Sequence, residues 1–184
     1  MILSADTKEL IEKVFDRLHI RKNRFIKKEL ETPNTKVKLF ICYAKEDFTK
    51  AHAIYRRLKE EKLSPWIDRE KLIPGQDWEL EIENSIDGSN FFLACLSRHS
   101  VTKEGYVQKE LKKGLEILDR QPEGRIYLIP IRFDNCKVPK RFEKLHWCNL
   151  FNTDGMTNLL TAIAKGCKQR KIKIEGYVGY LGRL

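Results

Sequence analysis

Apolar positions along the chain follow two rhythms, and a proline separates them. Between residues 4 and 30 the large apolar side chains recur three and four apart, at Leu10, Ile11, Val14, Phe15 and Leu18 and again at Phe25, Ile26 and Leu30. That is the period of an amphipathic helix. Ser4 or Asp6 is placed to cap its start, and Pro33-Asn34 punctuate its end. Beyond the break, short apolar runs alternate with helical patterns. Residues 37–43 read as a buried strand, 49–61 as a helix with Ala51, Ile54, Tyr55 and Leu58 on one face, and 63–67 as a short strand. A helix over 78–86, a strand over 91–96, a helix over 106–118 and a strand over 126–131 follow, and a short strand near 145–148 leads into a helix over 156–169.

Strands that alternate with helices predict right-handed crossovers and a parallel, five-stranded sheet covered on both faces, a three-layer α/β domain. Ligands of such sheets sit at the carboxyl ends of the strands. Those ends are Tyr43-Ala44-Lys45, Asp68 with the loop that follows it, and Ser97-Arg98-His99-Ser100. The loop DREKLIPGQDW, 68–78, places Leu72, Ile73 and Trp78 in a charged segment closed by Pro74-Gly75. Apolar groups in a defined exposed loop mark an interface or a lid, and the plainer alternative is a connection that packs Leu72 and Trp78 onto the core. Neither GxGxxG nor GxxxxGK[ST] occurs, although a helix N-terminus can receive a phosphate without them.

The length of 184 residues fits one domain with an appendage. Hydrophobic residues make up 41% and charged ones 34%, and no apolar run approaches the roughly 18–20 residues of a membrane span. The first residues lack a basic segment followed by a continuous apolar stretch, so the expectation is a cytoplasmic protein without a membrane span. Five cysteines, at 42, 95, 136, 148 and 167, form no CxxC pair and have no histidine at ligand spacing, which argues against a metal site or a disulfide framework. The net charge is +10, with about +3 in residues 1–36, about +5 in 165–184 and about +2 between. An excess confined to the ends, without aromatics among the charges, argues against nucleic-acid binding.

Three segments, in order and spacing, resemble the Toll/interleukin-1 receptor (TIR) domain family: LFICYAKED at 39–47, WIDREKLIPGQDW at 66–78 and FFLACLSRHSVTKEGYVQKEL at 91–111. The likeness covers about 37–165, leaving residues 1–36 as a helical extension and 166–184 as a basic, Gly- and aromatic-containing tail. It implies a flavodoxin-like fold and one of two functions. Animal receptor and adaptor members work mainly through TIR–TIR contact, whereas many bacterial and plant members cleave NAD to nicotinamide and ADP-ribose or a cyclised form, in immune or stress signalling. The NAD-cleaving branch uses a glutamate in a pattern like Trp-x-x-x-Glu-Leu, and here the matching text is Tyr106-Val107-Gln108-Lys109-Glu110-Leu111. The glutamate is in place, and tyrosine stands where the family usually has tryptophan.

On that likeness the expectation is an NAD glycohydrolase with NAD as substrate, no cofactor and no metal. Glu110 is its catalytic carboxylate, and Tyr43, Lys45, Lys71, Trp78 and Tyr106 contact substrate. Leu72, Ile73, Pro74 and Gly75 form the self-association loop. One carboxylate suffices chemically, because nicotinamide is already a cationic leaving group and its departure leaves an oxocarbenium-like ribosyl centre. Glu110 and Tyr106 are four apart on a helix and so share a face. Without the likeness, Glu110 is an ordinary first-turn acid, Tyr43 and Trp66 are core residues, and Lys45, Lys71, Glu104 and His99 are polar surface. The alternative function is a non-enzymatic interaction module.

Overall fold

Segments Lys38–Cys42 (β1), Ser64–Trp66 (β2), Phe91–Leu96 (β3), Leu128–Arg132 (β4) and Cys148–Asn149 (β5) form one parallel sheet in the order β2-β1-β3-β4-β5. The computed structural model describes residues 36–102, 104–174, 178 and 181. The helix expected over residues 4–30 lies outside them. Strand β3 is buried at every position, as the central strand of a sheet covered on both sides must be.

Alternate residues of each strand supply two cores. Leu39, Ile41, Phe91, Leu93, Ile129 and Ile131 face helices α1 (Phe48–Glu60) and, further along the chain, α6 (Gly155–Gln169). Helix α1 buries Ala51, Ile54, Tyr55 and Leu58, the stripe its sequence predicts. Phe40, Cys42, Phe92, Ala94 and Leu96 face the opposite way, against Ile82 and Ile86 of α3 (Trp78–Asp87) and Val107 and Leu111 of α5 (Tyr106–Asp119). Packing is close enough that a Cβ on Gly166 of α6 would lie 2.4 Å from the Phe91 ring.

Two short helices interrupt segments read as loops: α2 (Asp68–Lys71) and α4 (Arg98–Thr102). Both are fixed by side chains. The Ser97 hydroxyl accepts from the backbone N–H groups of His99 and Ser100, each at 3.1 Å, and donates to buried Asp47. Strand β4 starts at Leu128, two residues later than the apolar run predicts, because the Ile126 N–H is drawn to the Gln169 side chain at 2.9 Å.

The boundary expected at residue 165 cuts through α6, which runs to Gln169. Beyond it, Ile172, Ile174 and Leu181 pack against the α1/α6 core, and Val178 is fully buried in it. All five cysteines are buried thiols. Among the described residues no helix is long and apolar enough to cross a membrane.

Candidate active site

The strand order 2-1-3-4-5 sends the connections leaving β1 and β3 to opposite faces of the sheet, which opens a crevice at their carboxyl ends. A cavity of about 370 Å³ opens at the ends of β1 and β2, within the size range of small-ligand sites. Tyr43, Ala44 and Lys45 enter it from β1, Trp66 and Asp68 from β2, Leu72 and Trp78 from the loop, and Tyr106, Val107 and Glu110 from α5.

Each wall has a local cause. The Tyr43 hydroxyl donates to Asp68 at 2.6 Å, which ties the exit of β1 to the start of α2. Burial, and then the Asp68 carboxylate, push the Tyr43 hydroxyl far above the ordinary phenol range, so it remains a donor. Arg69 lies over the Phe48 ring at 4.4 Å, and Glu70 meets His52 at 3.1 Å, so three consecutive side chains hold α2. The following turn closes with the Ile73 N–H donating to the Gln76 side chain at 2.9 Å and with Gly75 at φ +91°, a backbone region that disfavours a Cβ. Asp77 then caps α3, accepting from the N–H groups of Glu79 and Leu80 at 3.1 Å each. This cap sets Trp78, half exposed, edge-on to Tyr106 with ring centroids 4.7 Å apart.

Glu110 stands one turn into α5, at the bottom of the cavity. Burial raises its carboxyl from the ordinary 4.5 to about 8, the neighbouring Cys42 thiol opposes the rise, and the Asp68 carboxylate adds to it. Tyr106 above it is pushed up to about 12, by burial first and by Glu110 next. The arrangement joins a proton-holding carboxyl, a second acid and aromatic rings in one concave space.

Of the residues singled out in the sequence, Tyr43, Lys45, Trp78, Tyr106 and Glu110 share the cavity. Lys71 does not line it and is exposed on α2. Leu72, expected with the exposed loop residues, turns into the cavity, while Ile73 stays 64% exposed at the loop tip. Trp66 stacks on Phe40 with centroids 5.0 Å apart and also walls the cavity, and Glu104 joins the lining while remaining exposed. His99 is exposed and absent from the lining. The sheet rule had already pointed to Asp68 as a strand end, without a role, and sequence reasoning left Cys42, which closes β1 beside the cavity, as a small buried hydrophobe. Among the described residues, no group of three or more His, Cys, Asp or Glu side chains is arranged to hold a metal ion.

A TIR domain family model matches residues 39–161. Among solved structures, the TIR domain of the Toll-related receptor TRR-2 from Hydra magnipapillata is similar, with a TM-score of 0.57 and 22% identity, over 68% of this chain and 96% of that one. At that identity the likeness is one of fold. No curated protein matches the chain.

Proposed function

Since this chain belongs to the TIR domain family, whose members are signalling modules that meet through TIR–TIR contacts, we propose that it is an NAD glycohydrolase with Glu110 as its catalytic carboxylate. The observation that supports this reading most strongly is the placement of the acid: a carboxyl whose proton affinity burial raises, set with Tyr43, Trp78 and Tyr106 in one cavity.

In this reading the nicotinamide ring of NAD lies against the aromatic walls, and its positive charge favours the ionised form of Glu110. Binding therefore expels a proton from the site. The bond between the ribose C1′ and the ring nitrogen then breaks, and its electron pair stays with nicotinamide, which leaves neutral. The cationic ribosyl centre faces the Glu110 carboxylate, which also accepts hydrogen bonds from the ribose hydroxyls. Water adds to C1′ and loses a proton to give ADP-ribose, or a ring nitrogen of the adenine adds instead to give a cyclic isomer. Lys45, at the exit of β1, offsets the pyrophosphate charge, and Lys71 assists only by reaching in from α2. The enzyme works in the cytoplasm, in immune or stress signalling, and needs no metal or cofactor.

A second reading rests on a different observation. Ile73, Trp78 and Leu80 are 64%, 50% and 53% exposed around one loop, an apolar patch suited to a TIR–TIR contact. A pure interaction module would use this patch and leave Glu110 idle. Nicotinamide release from NAD by concentrated protein, beside Glu110→Gln, separates the two. Release by the wild type alone supports the enzyme, and chromatography of the second product identifies hydrolysis or cyclisation. Folded, self-associated wild type that releases none hands the function to the interaction module.

A further inference from the structure

Helices α1 and α6 end alike, and each leaves through a lysine at the position where glycine is the usual residue. Lys62 follows α1 at φ +60° and Lys171 follows α6 at φ +56°, both in the left-handed backbone region. The same two bonds close each end. The Lys62 and Leu63 N–H groups donate to the Lys59 and Leu58 carbonyls at 2.9 and 3.1 Å, and the Lys171 and Ile172 N–H groups donate to the Lys168 and Cys167 carbonyls at 3.1 and 3.0 Å. A Cβ is strained in that region and glycine is not, so the fold carries the same cost at two matching positions. Strain that a structure retains points to a function for the residue that bears it. We propose that the amino-terminal pole of the sheet docks on an anionic membrane surface, and that Lys62 and Lys171 stand where glycine is more stable because of the charge they bring to that pole.

Several segments share this charge. Crossover helices of a parallel sheet run against the strands, so α1 and α6 both end where the strands begin. Lys38 lies opposite Ser64 in the register of β1 and β2, and the Ser64 N–H donates to the Val37 carbonyl at 2.9 Å, which brings Lys62 beside Lys36 and Lys38. Ile172 and Ile174 pack on the core that holds Val37 and Leu63, so Lys171 and Lys173 belong to the same pole. These five lysines and Lys168 are exposed. Acids nearby are held by other cations, Glu60 and Glu61 by Arg57 at 3.4 and 2.7 Å and Asp87 by Lys113 at 3.3 Å. Residues 165–174 contain five cations and no acid. The helix dipoles alone do not require Lys62 and Lys171, because Lys59 and Lys168 already stand in the last turns.

The chemistry favours a lipid surface over a nucleic acid. Ile73, Trp78, Leu80 and Phe151, the large apolar side chains exposed among the described residues, stand at the carboxyl-terminal end of the sheet. The basic pole therefore presents no aromatic platform for bases among those residues. What it presents is ammonium groups on flexible stems, which a sheet of headgroup charge attracts within about a Debye length. Docked through this pole, the protein turns its cavity and Ile73 away from the bilayer.

The test is flotation of the full chain with vesicles of phosphatidylcholine, alone or mixed with phosphatidylserine, at low salt, beside thermal melting. Wild type is compared with Lys62→Gly/Lys171→Gly and with Lys109→Gln/Lys140→Gln, which removes two charges from the opposite end of the sheet. No nicotinamide is measured, so the outcome does not depend on the catalytic reading. The expected result is wild type that floats only with phosphatidylserine and lets go as salt rises. The glycine pair binds about 25-fold more weakly, about fivefold for each lysine, yet melts about 2–6 °C higher. The glutamine pair stays within about twofold of wild type. The proposal is overturned by wild type that ignores anionic vesicles, by equal losses in the two pairs, or by a glycine pair that melts no higher. A short DNA duplex that strips the protein from the vesicles at far lower phosphate concentration than they supply also overturns it, and assigns the pole to nucleic acid.

Discussion

At the amino-terminal end of the sheet, side chains close the turns with short hydrogen bonds and ion pairs, whereas the carboxyl-terminal end carries a cavity and exposed apolar side chains. Near the first end, the Lys38 N–H donates to Asn90 at 2.8 Å, Gln169 spans Ile126 and Gly124 at 2.9 Å each, and Arg57 pairs with Glu61 at 2.7 Å. Arg57, Lys59 and Lys168 sit in the last turns of α1 and α6, where cations complement the helix dipole. At the other end a cavity holds a carboxyl with a raised proton affinity, and Ile73, Trp78 and Leu80 face solvent. The same strands and helices thus secure the fold at one pole and set a buried acid in a cavity at the other.

Substitutions on either side break or sharpen this contrast. The largest effect expected is on chemistry: Glu110→Gln lowers nicotinamide release about a thousandfold, measured by chromatography, because the ribosyl cation loses its counter-charge. The same variant gains stability. Folded Glu110 holds its proton to about 8, against an ordinary 4.5, so wild-type stability falls as pH rises through that window. Urea unfolding should find Glu110→Gln more stable by about 2 kcal/mol at pH 8.5, less than the full shift implies because the cavity admits water, and equal to wild type at pH 4. At the opposite pole Gly166→Val should cost about 2 kcal/mol through the clash with Phe91, with the rate of the folded protein unchanged. Trp78→Ala reverses that pattern. Half exposed, Trp78 contributes little to folding, and its loss should lower kcat/KM about tenfold, chiefly through KM. Smallest is Ile73→Ser, which should shift unfolding by less than about 0.5 kcal/mol while weakening self-association in sedimentation.

Periodicity made the main elements legible, because each helix stripe and strand run exists to cover a sheet face. The stripe Ala51, Ile54, Tyr55 and Leu58 is buried as read, and Phe91–Leu96 matches its strand residue for residue. What periodicity could not expose was structure held by distant side chains. Helix α2 depends on Tyr43 reaching Asp68 across 25 residues, and α4 depends on Ser97. The polar, glycine-bearing end of the chain carried no pattern to show that Val178 is buried.

The site was legible in part through the family likeness, which singled out Glu110 and its aromatic neighbours. Cys42 resisted because a cysteine in an apolar run reads as a small hydrophobe, and only the return of α5 over β1 brings its thiol to the Val107 carbonyl, one turn before Glu110. The sequence left open whether Leu72 faces solvent or packs inward, and the structure places it in the cavity lining while Lys71 lies outside that lining, because α2 ends at Lys71 and the chain turns extended at Leu72.

The most direct test of the link between the open pole and its chemistry is the pH dependence of nicotinamide release from NAD, for wild type and Glu110→Gln at matched, self-associating concentrations. A wild-type rate that climbs with an apparent midpoint near 8, beside a Glu110→Gln rate that is negligible at every pH, is the outcome expected from the raised carboxyl. Equal release by both proteins, or none from wild type that is folded and associated, would contradict it.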